Sequence, residues 1–208
     1  YQGVITMSEQ PNLKAVSLEA AGYKDLKYYF ANLNTLFSIR GTLAVDMMTA
    51  MPAGGLARRM NDITAITKRI YAETTTQAVT RLLEQVETEA ENNKDDWDAW
   101  DLANVVEMRR IHSHLSALPP DIYIASVQVA NEGRKRHAAA QGQSWDAVEP
   151  YISQVIDLYR KVADLKQKKF NVDSPYKALL LGYASDISDK QMDTLYDSLL
   201  DPLAKFRD

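Results

Sequence analysis

Metal or nucleophilic chemistry in this chain would have to start from three histidines, His112, His114 and His137, because there is no cysteine. Two ligands on one helix can share an ion only when they lie three or four residues apart, where side chains fall on the same face. His112 and His114 are two apart, about 200° round a helix that turns ~100° per residue. They cannot chelate one ion while that helix is intact, and they read as polar positions flanking a buried Ile111. His137 follows Arg134, Lys135 and Arg136 near the end of a helix, where a positive imidazole suits the dipole. The 208 residues contain no HExxH and no carboxylate placed three residues before a histidine. Nor is there a G-x-S-x-G elbow or a glycine-rich phosphate loop. The acidic group Asp95, Asp96, Asp98 and Asp101 reads as the start of a helix, where negative charge is favoured.

The elements that carry these residues are helical almost throughout. Glycines are few, and apolar residues recur at intervals of three and four rather than two. A first helix is expected from about Tyr23 to Met48, with Leu26, Phe30, Leu33, Phe37, Ala44 and Met48 on one face. Arg40 falls on that face too, so it either snorkels to solvent or meets a buried carboxylate, the structural ion pair being preferred over ligand binding. Met51-Pro52-Ala53-Gly54-Gly55 breaks the pattern.

A second helix should run from Leu56 to Glu73, and the threonines at 74–76 can cap a third, to Glu91. The polar stretch Glu91–Asp96 is expected as a loop. The fourth helix, Trp97 to Leu118, has Trp97, Trp100, Met108, Ile111, Leu115 and Leu118 on one side and Leu102, Val105 and Val106 on the other. That pattern predicts a helix sandwiched in the core. Pro119-Pro120 then starts a fifth, to Gln141, with Gly142 as its stop.

Ser144 can cap a sixth helix, in which Pro150 marks a kink or the true start. Val148, Ile152, Val155, Tyr159 and Val162 should face inward along it. A short helix from Pro175 to Gly182 follows, and Ser188 with Gln191 forms a capping box for the last, to Phe206. The expected architecture is all-α, a multi-helix bundle of about seven to eight helices without a sheet.

A composition of 46% hydrophobic and 25% charged residues suits a globular chain with its own core. The net charge of -4 and the brevity of the Arg134–Arg136 cluster argue against a nucleic-acid partner. No apolar run approaches the ~18 residues of a membrane span. The absence of cysteine excludes a disulfide framework and fits a cytoplasmic setting. Residues 1–6 lack the features of a signal peptide. They are expected to be vector-derived or a disordered start, with a single helical domain over 7–208.

Leu43-Ala44-Val45-Asp46-Met47-Met48-Thr49-Ala50-Met51-Pro52-Ala53-Gly54-Gly55 resembles a segment of the carboxypeptidase Taq family, zinc enzymes that remove residues from peptide C-termini. Asp46, Thr49, Met51, Pro52, Gly54 and Gly55 match the family pattern, while Val45 stands for its usual Trp and Ala53 for its second Pro. Arg59 falls where the family has an Arg early in the next helix. Leu118-Pro119-Pro120-Asp121, Pro150-Tyr151 with Val155, and Pro175-Tyr176 with Ala178-Leu179-Leu180 and Tyr183 resemble further family segments in the same order.

The resemblance implies the N-terminal region of such an enzyme, preceding the helix whose HExxH binds zinc. It therefore implies no cofactor in this chain, with zinc expected in a full-length family member. The 208 residues alone are expected to be inactive, contributing scaffold and substrate-groove walls, with Asp46, Met51 and Arg59 as groove candidates. Peptide substrate would be met only in the full-length context. The expected partner is the missing catalytic half, or self-association through an exposed apolar face. The alternative is a freestanding helical module that binds a protein or small ligand without catalysis.

Overall fold

The structure, a computed structural model, describes residues 22–140, 145–184 and 187–207, apart from the side chains of residues 53, 130–132, 134–140, 147, 189, 201 and 204–207. The expectations for residues 1–6, for Gly142 and for Ser144 as a cap lie outside the described residues, as do the side chains of Arg134–Arg136 and His137. Among the described residues there are eight α-helices and no strand. They are α1 (Tyr23–Thr49), α2 (Leu56–Thr74), α3 (Gln77–Asn92), α4 (Ala99–Ser116), α5 (Pro120–Ala140), α6 (Trp145–Phe170), α7 (Pro175–Leu180) and α8 (Asp189–Arg207). Short 3-10 turns occupy Ala53–Gly55 and Lys94–Asp96. No described helix is long and apolar enough to cross a membrane.

The chain divides into two compact units, Tyr1–Leu158 and Tyr159–Asp208, with the boundary inside α6. In the first unit the core joins Leu26, Phe30 and Leu33 of α1, Val79, Leu82, Leu83 and Val86 of α3, and Val105 and Met108 of α4. Helix α2 packs against α1, α4 and α5. Its inner face reads Ile63, Thr67, Ile70, Thr74, all buried. The two hydroxyls are buried at no cost in unmade hydrogen bonds, because each donates to the carbonyl four residues back, Thr67 to Ile63 at 2.8 Å and Thr74 to Ile70 at 2.7 Å.

Helix ends carry orphan polar groups, and several are met as the residue types predict. Thr76 caps α3 by accepting from the Val79 N–H, and Asp98 caps α4 by accepting from the Trp100 N–H. Two carbonyls at helix ends are met from another helix, Glu73 by the Tyr29 hydroxyl at 2.7 Å and Leu118 by the Tyr71 hydroxyl at 2.8 Å. Burial pushes the Tyr29 phenol up to about 12, with the Glu73 charge adding to it.

Helix α4 is not sandwiched. Trp100 is 80% exposed and Val106 69%, and the buried face is Val105, Met108, His112 and Leu115. The buried arc runs between the two expected stripes, taking Met108 and Leu115 from one and Val105 from the other, with His112 among them. Similarly, Met48 at the far end of α1 is 54% exposed, because the core contacts of α1 come from its first half. In α6, Ile152 and Tyr159 are exposed rather than inward, while the helix begins at Trp145 and carries Pro150 inside it.

In the second unit, Val162, Ala163 and Ala178 are buried. Asn171, with φ 50°, follows the last residue of α6 in the left-handed region that asparagine tolerates. Ser174 caps α7. The capping box at α8 is present: the Ser188 N–H donates to Gln191 Oε1 at 2.9 Å, and the Gln191 N–H to Ser188 Oγ at 3.3 Å. Leu195, Tyr196, Leu199, Leu200 and Leu203 of α8 are exposed.

The start of α1 is tied to α4 across 78 residues of sequence. The Tyr23 hydroxyl donates to Asp101 Oδ1 at 2.6 Å, and Lys27 Nζ reaches the same oxygen at 3.0 Å. The Tyr23 and Trp97 rings meet 4.9 Å apart. The Tyr23 and Lys27 donors together hold the Asp101 carboxyl below its ordinary 3.8. A carboxylate lowered by folding contributes stability above its unfolded pKa and loses that contribution as pH falls through the folded one. Asp101→Asn is therefore expected to lower the urea midpoint at neutral pH, with the difference from wild type shrinking as pH drops below 3.8. Urea titrations of both proteins at several acidic pH values check this.

Candidate functional site

The three groove candidates meet at the corner where α1 gives way to α2. The end of α1 is tightened by the Asp46 carbonyl, which accepts from the Ala50 N–H at 3.1 Å and the Met51 N–H at 2.9 Å. Pro52 leaves the helix with φ -59° and ψ 145°, and the Gly55 N–H returns to the Pro52 carbonyl at 2.8 Å. This reversal brings the first turn of α2 beside the last turns of α1. A Cβ on Gly55 would sit 3.1 Å from Met51 Cγ, tighter than ordinary contact, so the bare backbone there makes room for the Met51 side chain.

Across the corner, Arg59 NH2 lies 2.6 Å from Asp46 Oδ2, with the two side chains 24% and 36% exposed. The geometry is a single close charge contact rather than a two-pronged fork. Arg59 Nε is buried without a hydrogen bond, and Asp46 Oδ2 itself lacks a well-angled one. The distance establishes the electrostatic attraction, and the angles explain why it is not also a good hydrogen bond. The structure thus brings Asp46 and Arg59 together, with Met51 in the turn that joins their helices.

Arg40 departs from the ion-pair alternative. It has no carboxylate partner among the described residues; its NH1 donates to the Tyr123 hydroxyl of α5 at 3.1 Å, and its guanidinium lies 5.2 Å from the centroid of the Phe37 ring. The Tyr123 ring in turn packs 5.5 Å from that of Tyr71 on α2. The sequence offered no local signal for this arrangement, since Arg40 and Tyr123 are 83 residues apart. What positions them is the shared packing of α1 and α5 against α2.

The histidines were misplaced by sequence reasoning in one respect. His112 is buried on the core face of α4, whereas Ile111 is only partly buried. Its Nε2 lies 3.0 Å from Thr80 Oγ1. The same nitrogen lies 3.4 Å from Ser116 Oγ, so the buried imidazole edge is held between two hydroxyls. Among the described residues, no group of three or more histidines and carboxylates could hold a metal ion. The described residues do not fit a zinc site.

The arrangement is an all-helical scaffold with a charged corner and a guanidinium lying beside aromatic rings. The fold is similar to Trypanosoma cruzi metallocarboxypeptidase 1, with a TM-score of 0.69 at 21% identity over 88% of this chain and 35% of that one. It is also similar to the protein solved as BsuCP, with a TM-score of 0.66 at 19% identity over 84% of this chain and 34% of that one. This chain thus spans about a third of the length of those two structures. A search of curated protein sequences found no match. Residues 25–208 match the model of the carboxypeptidase Taq (M32) metallopeptidases, and the chain belongs to that family.

The contribution of the corner can be measured by a double-mutant cycle. Arg59→Gln and Asp46→Asn are each expected to lower stability, and the double variant to lose less than their sum. For a partly exposed pair the coupling should be roughly 0.5–1 kcal/mol. Urea denaturation of the four proteins measures it, and additive losses would show that the contact does nothing beyond local packing.

Proposed function

We propose that these 208 residues are the N-terminal helical scaffold and part of the substrate groove of a zinc metallocarboxypeptidase, which removes residues from the C-termini of peptides. The observation that carries this reading is the family match over residues 25–208, joined to a fold that corresponds to about a third of a solved metallocarboxypeptidase. Asp46, Met51 and Arg59 are the groove residues of the proposal, because they surround the principal break between the first two helices. Zinc belongs to the full-length enzyme. Peptide hydrolysis at neutral pH by this route needs a bound water made acidic by the metal and a Lewis acid for the carbonyl. The residues described here supply neither, so the proposal includes that the 208 residues alone are inactive. The absence of cysteine supports a cytoplasmic setting.

The purified chain, incubated with zinc and an N-blocked peptide bearing a free C-terminus, should release amino acid no faster than buffer with zinc. Release above that background, abolished by a chelator, would refute the inactive reading.

The partner in this proposal is the catalytic remainder of the enzyme, with self-association as its substitute when only these residues are present. The exposed Leu195, Leu199 and Leu203 stripe of α8 supports it, since apolar area left in water costs about 25 cal/mol per Å². Light scattering should find the 208-residue chain self-associating in a concentration-dependent way, and Leu199→Lys with Leu203→Lys should reduce that. A strictly monomeric chain at high concentration would count against it.

A further inference from the structure

We propose that Arg40 and Tyr123 form a carboxylate-binding site on the first compact unit, separate from the Asp46–Arg59 corner. The argument begins with an imbalance of charge. Arg40 and Asp46 are the only charged residues between Tyr28 and Thr49 of α1, and Asp46 is committed to Arg59. On α5, Asp121 acts electrostatically on Tyr71 but makes no ion pair with Arg40. The guanidinium is only partly exposed, yet the groups it meets are a neutral hydroxyl and the face of a phenyl ring.

A guanidinium has five N–H donors in a planar fork, and only one is used, on Tyr123. The other four meet no protein acceptor among the described residues. The Tyr123 oxygen accepts from Arg40, which leaves its own proton for donation, and no described residue takes it. Two donor groups of unlike type are therefore held together with unspent hydrogen-bonding capacity. The Tyr71 ring against Tyr123, anchored by its hydroxyl on the Leu118 carbonyl, fixes one side. The Phe37 ring lies against the guanidinium.

A planar anion with two oxygens answers both needs. One oxygen can accept from the Arg40 fork and the other from the fork and the Tyr123 hydroxyl, giving charge-assisted hydrogen bonds in a partly desolvated setting. The ligand class is thus a carboxylate, from either the C-terminus of a peptide or an acidic side chain. Both donors are partly exposed, so the anion can reach them without unfolding. The site does not depend on the peptidase reading, since binding is read on the 208 residues without turnover.

The test follows the arginine Nε–H signals of the 15N-labelled chain during titration with three probes at constant ionic strength. N-acetyl-alanyl-alanine carries a terminal carboxylate, N-acetyl-aspartyl amide a side-chain carboxylate, and N-acetyl-alanyl-alanine amide none. At least one of the two anionic probes is expected to shift the Arg40 signal saturably, while the neutral amide does not. Tyr123→Phe keeps the ring packing and should weaken that binding roughly ten-fold, the loss expected for one hydrogen bond to a charged group. Arg40→Gln should abolish it, with circular dichroism checking that the variant is folded. A response to the first probe alone assigns the site to peptide termini, and a response to the second alone or to both assigns it to carboxylates that include acidic side chains. No saturable response to either anion, an equal response to the neutral amide, or unchanged affinity in Tyr123→Phe would overturn the proposal.

Discussion

The first unit depends on α2 being buried along a face that is only half apolar. Ile63 and Ile70 supply the hydrophobic contact, but Thr67 and Thr74 lie between and beyond them with no exposed surface. A hydroxyl in that position would be costly if its proton had no acceptor. The bonds to the carbonyls at Ile63 and Ile70 remove that cost within the helix itself, so α2 can sit against α1, α4 and α5 without any partner having to supply a polar group. Small β-branched threonines fit this role better than larger polar residues, because they satisfy themselves and still present a methyl group.

With α2 in place, the hydroxyls of tyrosines on α1 and α2 reach carbonyls at the ends of neighbouring helices. Tyr29 serves the end of α2 and Tyr71 the segment after α4. Each bond spans more than forty residues and fixes the axial position of one helix against another, which apolar contact alone does loosely. The Tyr23–Asp101–Lys27 group does the same for the start of α1. Sliding any of these helices by one turn would break such a bond, so the polar contacts set register while the leucines and valines provide most of the burial.

The Arg40–Tyr123 contact is a product of that register, whereas the polar corner is nearly local. Asp46 and Arg59 are only thirteen positions apart, and the Pro52 turn folds them together almost by local geometry. Their association was legible as a cluster round one break in helical pattern, and the family resemblance drew attention to the same residues. Arg40 was legible as a polar residue on an apolar face, but its partner was not. The expectation of an ion pair failed because the inward surface opposite Arg40 presents an aromatic hydroxyl from α5 rather than a carboxylate.

By itself the sequence determined the helices and several of their ends. The three-and-four spacing, the Pro52 and Pro119-Pro120 breaks, the threonine cap of α3 and the Ser188–Gln191 box all act within a few residues, so local chemistry is enough to read them. It also contained the colinear segments that place the chain in its family. Only the tertiary structure decided that the buried arc of α4 draws on both apolar stripes, that His112 rather than Ile111 faces the core, and that Met48 and Trp100 are exposed. Those outcomes turn on which neighbour covers a face. A helical repeat says that a face is apolar, and the packing of the other helices says whether it is covered.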